Sequence, residues 1–119
     1  QKYKNSKIMI ISSVAGDRGR KSNYIYGSAK AGINHYCSGL RNRLNNSRIH
    51  VMTVKLGFVD TSMTFNLNSK LIVKRSYISK KILLALKLNK NVIYLPFFWS
   101  YIMLIIKMIP ENVFKRLNL

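Results

Sequence analysis

Continuous apolar runs alternate along this chain with segments whose apolar residues recur every three or four positions. Lys7-Ile-Met-Ile-Ile11 is a short apolar run ending in Ser12-Ser13, the pattern of a strand buried on both faces of a parallel sheet. Ser12 to Asn23 then carries Gly16, Asp17, Gly19, Ser22 and Asn23, residues suited to irregular backbone or a helix entry. From about Tyr24 to Asn45, apolar positions at Ala29, Ile33, Tyr36 or Cys37, Leu40 and Leu44 predict an amphipathic helix packed on a sheet. Asn45-Asn46-Ser47 ends it, and His50-Val-Met-Thr-Val-Lys55 predicts a second buried strand. Strand, loop, helix and strand make one right-handed crossover unit, so parallel pairing is expected.

After Gly57 a polar segment runs to about Ser69. A helical pattern through Ile78, Ile82, Leu83 and Leu86 follows and closes at Asn89-Lys90-Asn91. Val92 to Leu95 reads as a third short strand stopped by Pro96, and Phe97 to Ile109 is almost wholly apolar. Pro110 opens a last short helix carrying Val113, Phe114 and Leu117. The expectation is an α/β architecture in one domain at most, with residues 1–96 forming the sheet portion and 97–119 an apolar helical tail.

Charge changes this picture less than its size suggests. The formal net charge is +18, from 21 Lys and Arg against Asp17, Asp60 and Glu111, a balance that favours anionic partners. The basic residues are spread from Lys2 to Arg116 and form no run interleaved with aromatics, so a solvated basic surface is expected and no nucleic-acid partner. Cys37 is the single cysteine, which excludes an intrachain disulfide and a cysteine-based zinc site and suits a reducing compartment. His35 and His50 stand without neighbouring ligands, so no metal site is expected.

The candidate chemistry lies between the first strand and the first helix. Tyr26 and Lys30 are four residues apart on the predicted helix, which puts both side chains on one face. Tyr24 has no such partner. An ammonium beside a phenol favours its ionised form in general, so Tyr26 is the candidate proton donor or acceptor. Ser13 lies thirteen residues before Tyr26, at the strand end where parallel sheets line a ligand crevice, and its hydroxyl is placed to hold a substrate carbonyl.

The ordered set "ISSVAG", "YGSAKAG" and "KLGFVDTSMT" resembles the short-chain dehydrogenase/reductase family over most of the chain. The resemblance implies the C-terminal part of a Rossmann-like, doubly wound parallel sheet and an oxidoreductase using NAD or NADP. It implies that Ser13 polarises the carbonyl or alcohol, that Tyr26 exchanges the proton, and that Lys30 binds the nicotinamide ribose. Gly57, Val59 and Thr61 inherit contacts to the nicotinamide carboxamide, with Leu56 standing where the family usually carries proline. The family's glycine-rich pyrophosphate turn and its Asn-Ala-Gly segment are not found here. The expectation is therefore a C-terminal half, inactive alone, with the N-terminal glycine-rich half absent.

The pattern "NVIYLPFFWSYIMLIIKMIPENVFKRL" is similar to a subgroup typified by the reductase partner in decaprenylphosphoryl-ribose epimerisation, which implies a lipid-linked keto-sugar as substrate. Two readings of the tail stay open: a helix packed on the sheet or in a homo-oligomer contact, and a segment lying in a membrane interface beside Lys107, Lys115 and Arg116. Thirteen residues are too few to span a bilayer. The corresponding placement is cytoplasmic, peripheral at the inner membrane face. A competing reading makes the chain a cationic membrane-surface module with a relic active site.

Overall fold

The computed structural model describes residues 5–57 and 74–119. Three strands, β1 (Lys7–Ser13), β2 (His50–Leu56) and β3 (Val92–Leu95), form a parallel sheet in the order β1-β2-β3. A single 3-10 turn, Val14–Gly16, follows β1 and leads to helix α1 (Tyr24–Arg43). Helix α2 (Arg75–Lys87) precedes β3, and α3 (Trp99–Met108) and the one-turn α4 (Glu111–Phe114) complete the chain.

Helices lie on both faces of the sheet because β2 is apolar on one face and mixed on the other. Met52 and Val54 point to one side and pack with Ile78 and Ala85 of α2 and with Leu95. On the other side, side chains of β2 alternate as Val51, Thr53 and Lys55. Here Arg41 of α1 reaches over the sheet, its Nε donating to the Val51 carbonyl and its Nη2 to Thr53 Oγ1 and the Asn91 carbonyl, each at 2.9 Å. A second cluster, Val14 with Trp99 and Met103 of α3, is joined by Tyr94 of β3.

The expected α/β crossover unit is present, and three features differ from expectation. β1 is an edge strand among the described residues, paired with β2 alone, and Ile8, Met9 and Ile11 are 37%, 38% and 41% exposed. Its apolar run describes a strand covered on both faces, whereas the α2 cluster draws its sheet residues from β2 and β3 and none from β1. On α1, Cys37 is wholly buried and Tyr36 exposed, which decides between them; Ala29 also faces outward. The inward stripe there runs through Gly27, because the first helical turn lies against the 3-10 turn too closely for a side chain. On α2 the exposed residue is Leu83, and Ala85 is buried in its stead.

Arg41 fixes α1 to the sheet and to the start of β3 by three hydrogen bonds from one charged group. In the full-length gene product, Arg41→Leu is expected to lower unfolding free energy by about 2–3 kcal/mol, since Thr53 and two carbonyls lose a charged donor. Arg41→Lys should recover only part of this, because an ammonium cannot reproduce the planar fork. Urea denaturation followed by circular dichroism measures both. Equal stability of Arg41→Leu and the parent would contradict the account.

Candidate active site

Parallel strands place their carboxyl ends on one rim, and two of the residues singled out by sequence, Ser13 and Gly57, lie there. Ser13 is the last residue of β1 and Gly57 follows the last residue of β2. Ser13 is 9% exposed, and its Oγ accepts the Ala15 backbone N–H at 3.1 Å. That bond caps the 3-10 turn and leaves the hydroxyl proton for another acceptor.

Tyr26 and Lys30 occupy the first two turns of α1, both half-buried, with the Lys30 Nζ 5.5 Å from the centre of the Tyr26 ring. Tyr24, by contrast, is 60% exposed. Two glycines press these turns of α1 onto the segment after Ser13. A β-carbon on Gly27 would lie 2.7 Å from the Ala15 carbonyl oxygen. A β-carbon on Gly16 would lie 2.7 Å from the Ala31 nitrogen and 2.8 Å from the Lys30 carbonyl carbon. Helix and turn therefore meet backbone to backbone, at the residues adjoining Tyr26 and Lys30.

Gly57 donates its N–H to the Leu95 carbonyl at 2.9 Å, extending the β2–β3 ladder by one bond. The Trp99 indole lies flush against it, since a β-carbon there would fall 2.1 Å from Trp99 Nε1. Val59 and Thr61 lie outside the described residues. Among the described residues no three His, Cys, Asp or Glu side chains are grouped to hold a metal ion. A cleft of about 440 Å³ bordered by Lys7, Arg41, Arg48 and His50 lies at the amino ends of the strands, away from Ser13 and Tyr26.

Beside the site stands a polar network that periodicity does not reveal. Lys55 Nζ donates to Asp17 Oδ1 at 2.7 Å and to the Tyr94 hydroxyl at 3.2 Å, and that hydroxyl donates to Asp17 Oδ2. The Asp17 side chain is 3% exposed and that of Lys55 15%. Removing one partner of such a buried pair strands the other charge, at a cost of about 3–5 kcal/mol. Burial, then the hydrogen bond to Asp17 and its charge, push the Tyr94 phenol above the ordinary tyrosine range, so it remains a donor at neutral pH. The sequence does carry a signal: a lysine near the end of a largely buried strand calls for a carboxylate, and the chain has only three acids.

Arg18, the next residue, turns the other way. Its Nη1 donates to the Ile106 and Ile109 carbonyls, each at 2.6 Å, and its Nη2 to Glu111 at 3.0 Å, while the guanidinium stacks 3.8 Å above the Phe114 ring. It thereby caps the end of α3, taking the Ile109 carbonyl and joining the Ile109 N–H on the Ile106 carbonyl.

The family model for short chain dehydrogenases matches residues 1–72. An uncharacterized oxidoreductase of Mycobacterium tuberculosis is 32% identical over 111 residues, which is 92% of this chain and 45% of that protein. An uncharacterized oxidoreductase of Streptomyces coelicolor is 28% identical over 117 residues, 98% of this chain and 47% of that protein. A 3-oxoacyl-[acyl-carrier-protein] reductase of Chlamydia trachomatis is 37% identical over 70 residues, 59% of this chain and 28% of that protein. The chain spans about half the length of the oxidoreductases it matches over nearly its whole extent. The chain therefore belongs to the short-chain dehydrogenase family.

Proposed function

We propose that this chain is the catalytic portion of an NAD(P)-dependent oxidoreductase that interconverts a ketone and a secondary alcohol. The observation that carries the proposal is the backbone contact of Gly27 on Ala15, which presses the Tyr26 turn onto the turn capped by Ser13. The residues present suit the nicotinamide end of the cofactor: Lys30 offers an ammonium to ribose hydroxyls, and Gly57 closes β2 on the same rim. Contacts to the pyrophosphate are assigned to the part of the relatives' length that this chain does not span. When bound, the reduced nicotinamide supplies the hydride that goes to the carbonyl carbon.

The protein's own contribution is to the oxygen. Ser13, its Oγ held by the Ala15 N–H, donates its hydroxyl proton in a hydrogen bond to the carbonyl oxygen and orients it. As the hydride arrives and charge builds on that oxygen, Tyr26 transfers its phenolic proton to it. The Lys30 ammonium lies on the same helix face, its Nζ 5.5 Å from the centre of the Tyr26 ring. In the oxidation direction the same groups act in reverse order.

The finer reading is a lipid-linked keto-sugar met at an anionic membrane surface, and the two faces of α3 support its surface part alone. Trp99 and Met103 are buried against Val14, whereas Tyr101, Leu104, Ile105 and Met108, with Phe97 just before the helix, are exposed. The tail therefore both packs on the sheet and presents a second apolar face, and Lys107, Lys115 and Arg116 of the same C-terminal segment are exposed. No helix among the described residues is long and apolar enough to cross a membrane, so attachment would be interfacial.

In the full-length gene product, reduction of a ketone panel that includes ethyl acetoacetate, with NADH or NADPH, is expected to fall about 10²–10⁴-fold in Tyr26→Phe. Tyr24→Phe should stay near the parent rate, and cofactor titration should be little changed in either. Equal losses in the two variants would remove Tyr26 from its role. For the tail, Tyr101→Ser with Ile105→Ser should weaken sedimentation with phosphatidylglycerol vesicles without lowering the melting temperature, and added salt should weaken it further. Trp99→Ser should instead lower the melting temperature. Unchanged sedimentation of the Tyr101/Ile105 variant would leave the exposed face without a membrane role.

A further inference from the structure

We infer that Asp17, Lys55 and Tyr94 are positioning residues for Ser13, holding the turn that orients its hydroxyl. The inference rests on the oxidoreductase reading for what Ser13 does, and on geometry for how Ser13 is held. Ser12, Lys55 and Tyr94 are register partners in adjacent strands, so they form one row across the carboxyl end of the sheet. The Asp17 carboxylate comes down on this row from the turn and receives both Lys55 and Tyr94.

Between Ser13 and Asp17 the backbone is one hydrogen-bonded unit: the Ala15 N–H goes to Ser13 Oγ at 3.1 Å and the Asp17 N–H to the Val14 carbonyl at 3.0 Å. A displacement of Asp17 is therefore a displacement of the Ser13 cap. Glycine contacts with α1 hold one side of the turn, the network holds the side over the sheet, and Arg18 ties the following residue to the end of α3. Stability alone does not call for ions here, because apolar residues of similar volume often replace a buried ion pair without loss. What a three-way set of charged hydrogen bonds adds is direction.

The test uses the full-length gene product and an apolar replacement of the network, Asp17→Leu with Lys55→Met and Tyr94→Phe, which leaves no buried charge unpaired. Its melting temperature is expected near that of the parent. The Ala15 amide, whose hydrogen rests on Ser13 Oγ, should exchange with deuterium at least about tenfold faster. Turnover of the ketone substrate should fall at least about tenfold with KM for the cofactor unchanged. A variant that keeps both the parent's exchange at Ala15 and the parent's kcat overturns the inference, as does faster exchange with no change in kcat. If the triple variant fails to fold, Tyr94→Phe alone, which keeps the ion pair, should raise Ala15 exchange and lower kcat in the same sense by a smaller factor, and no change in either overturns the inference. A full-length protein that reduces no ketone in the panel sinks the oxidoreductase reading instead. Ala15 exchange then decides by itself whether the network holds the turn.

Discussion

The approach of α1 to the turn after Ser13 depends on two places where helix and turn touch without a side chain between them. At Gly27 and Gly16 the α1 backbone approaches the turn after β1 so closely that an added β-carbon would overlap backbone atoms. Backbone atoms cannot rotate out of the way as a long side chain can, so these contacts set the separation of the two elements more stiffly than packed side chains would. Packing elsewhere serves this seam: Arg41 anchors the far part of α1 to β2, and Cys37 is buried along the same helix.

The use of charge follows a related logic. In a chain with 21 basic residues and three acids, Asp17 and Glu111 both answer to the segment that follows Ser13. The buried Asp17 joins that segment to β2 and β3, where the low dielectric strengthens the bond. The Glu111 carboxylate is largely exposed and adds little energy to Arg18. Arg18 instead holds the tail through the Ile106 and Ile109 carbonyls and the face of Phe114. Two consecutive residues of opposite sign thus link the turn to the sheet on one side and to α3 and α4 on the other.

Much of the architecture was legible in the sequence because it rests on local periodicity. The apolar run at Lys7–Ile11, the three-and-four spacing from Tyr24 and the short run at Val92–Leu95 each correspond to an element in the structure. The pairing of Tyr26 with Lys30 was legible for the same reason, being a property of one helix face. What periodicity missed depends on partners distant in the chain. Ala29 and Leu83 have the right spacing and face outward, since spacing defines a stripe but not which flank of it meets the sheet. Lys55 beside Tyr94 follows from the β2–β3 register, and Asp17 above them from the path of a turn. The tail shows the same limit: a nearly unbroken apolar run gave no phase, and only the packing of Trp99 and Met103 against Val14 divides it into two faces.

The contact between Gly57 and the Trp99 indole bears on how this sequence can drift. A β-carbon at position 57 has no room while an indole occupies position 99, so the two positions behave as one heritable unit despite their distance along the chain. An enlarged residue at 57 becomes tolerable only after position 99 has shrunk, and shrinking position 99 first opens a cavity beside Val14 and Met103. Each order of change passes through a weakened intermediate, and the strand end beside the candidate site is thereby shielded from gradual substitution.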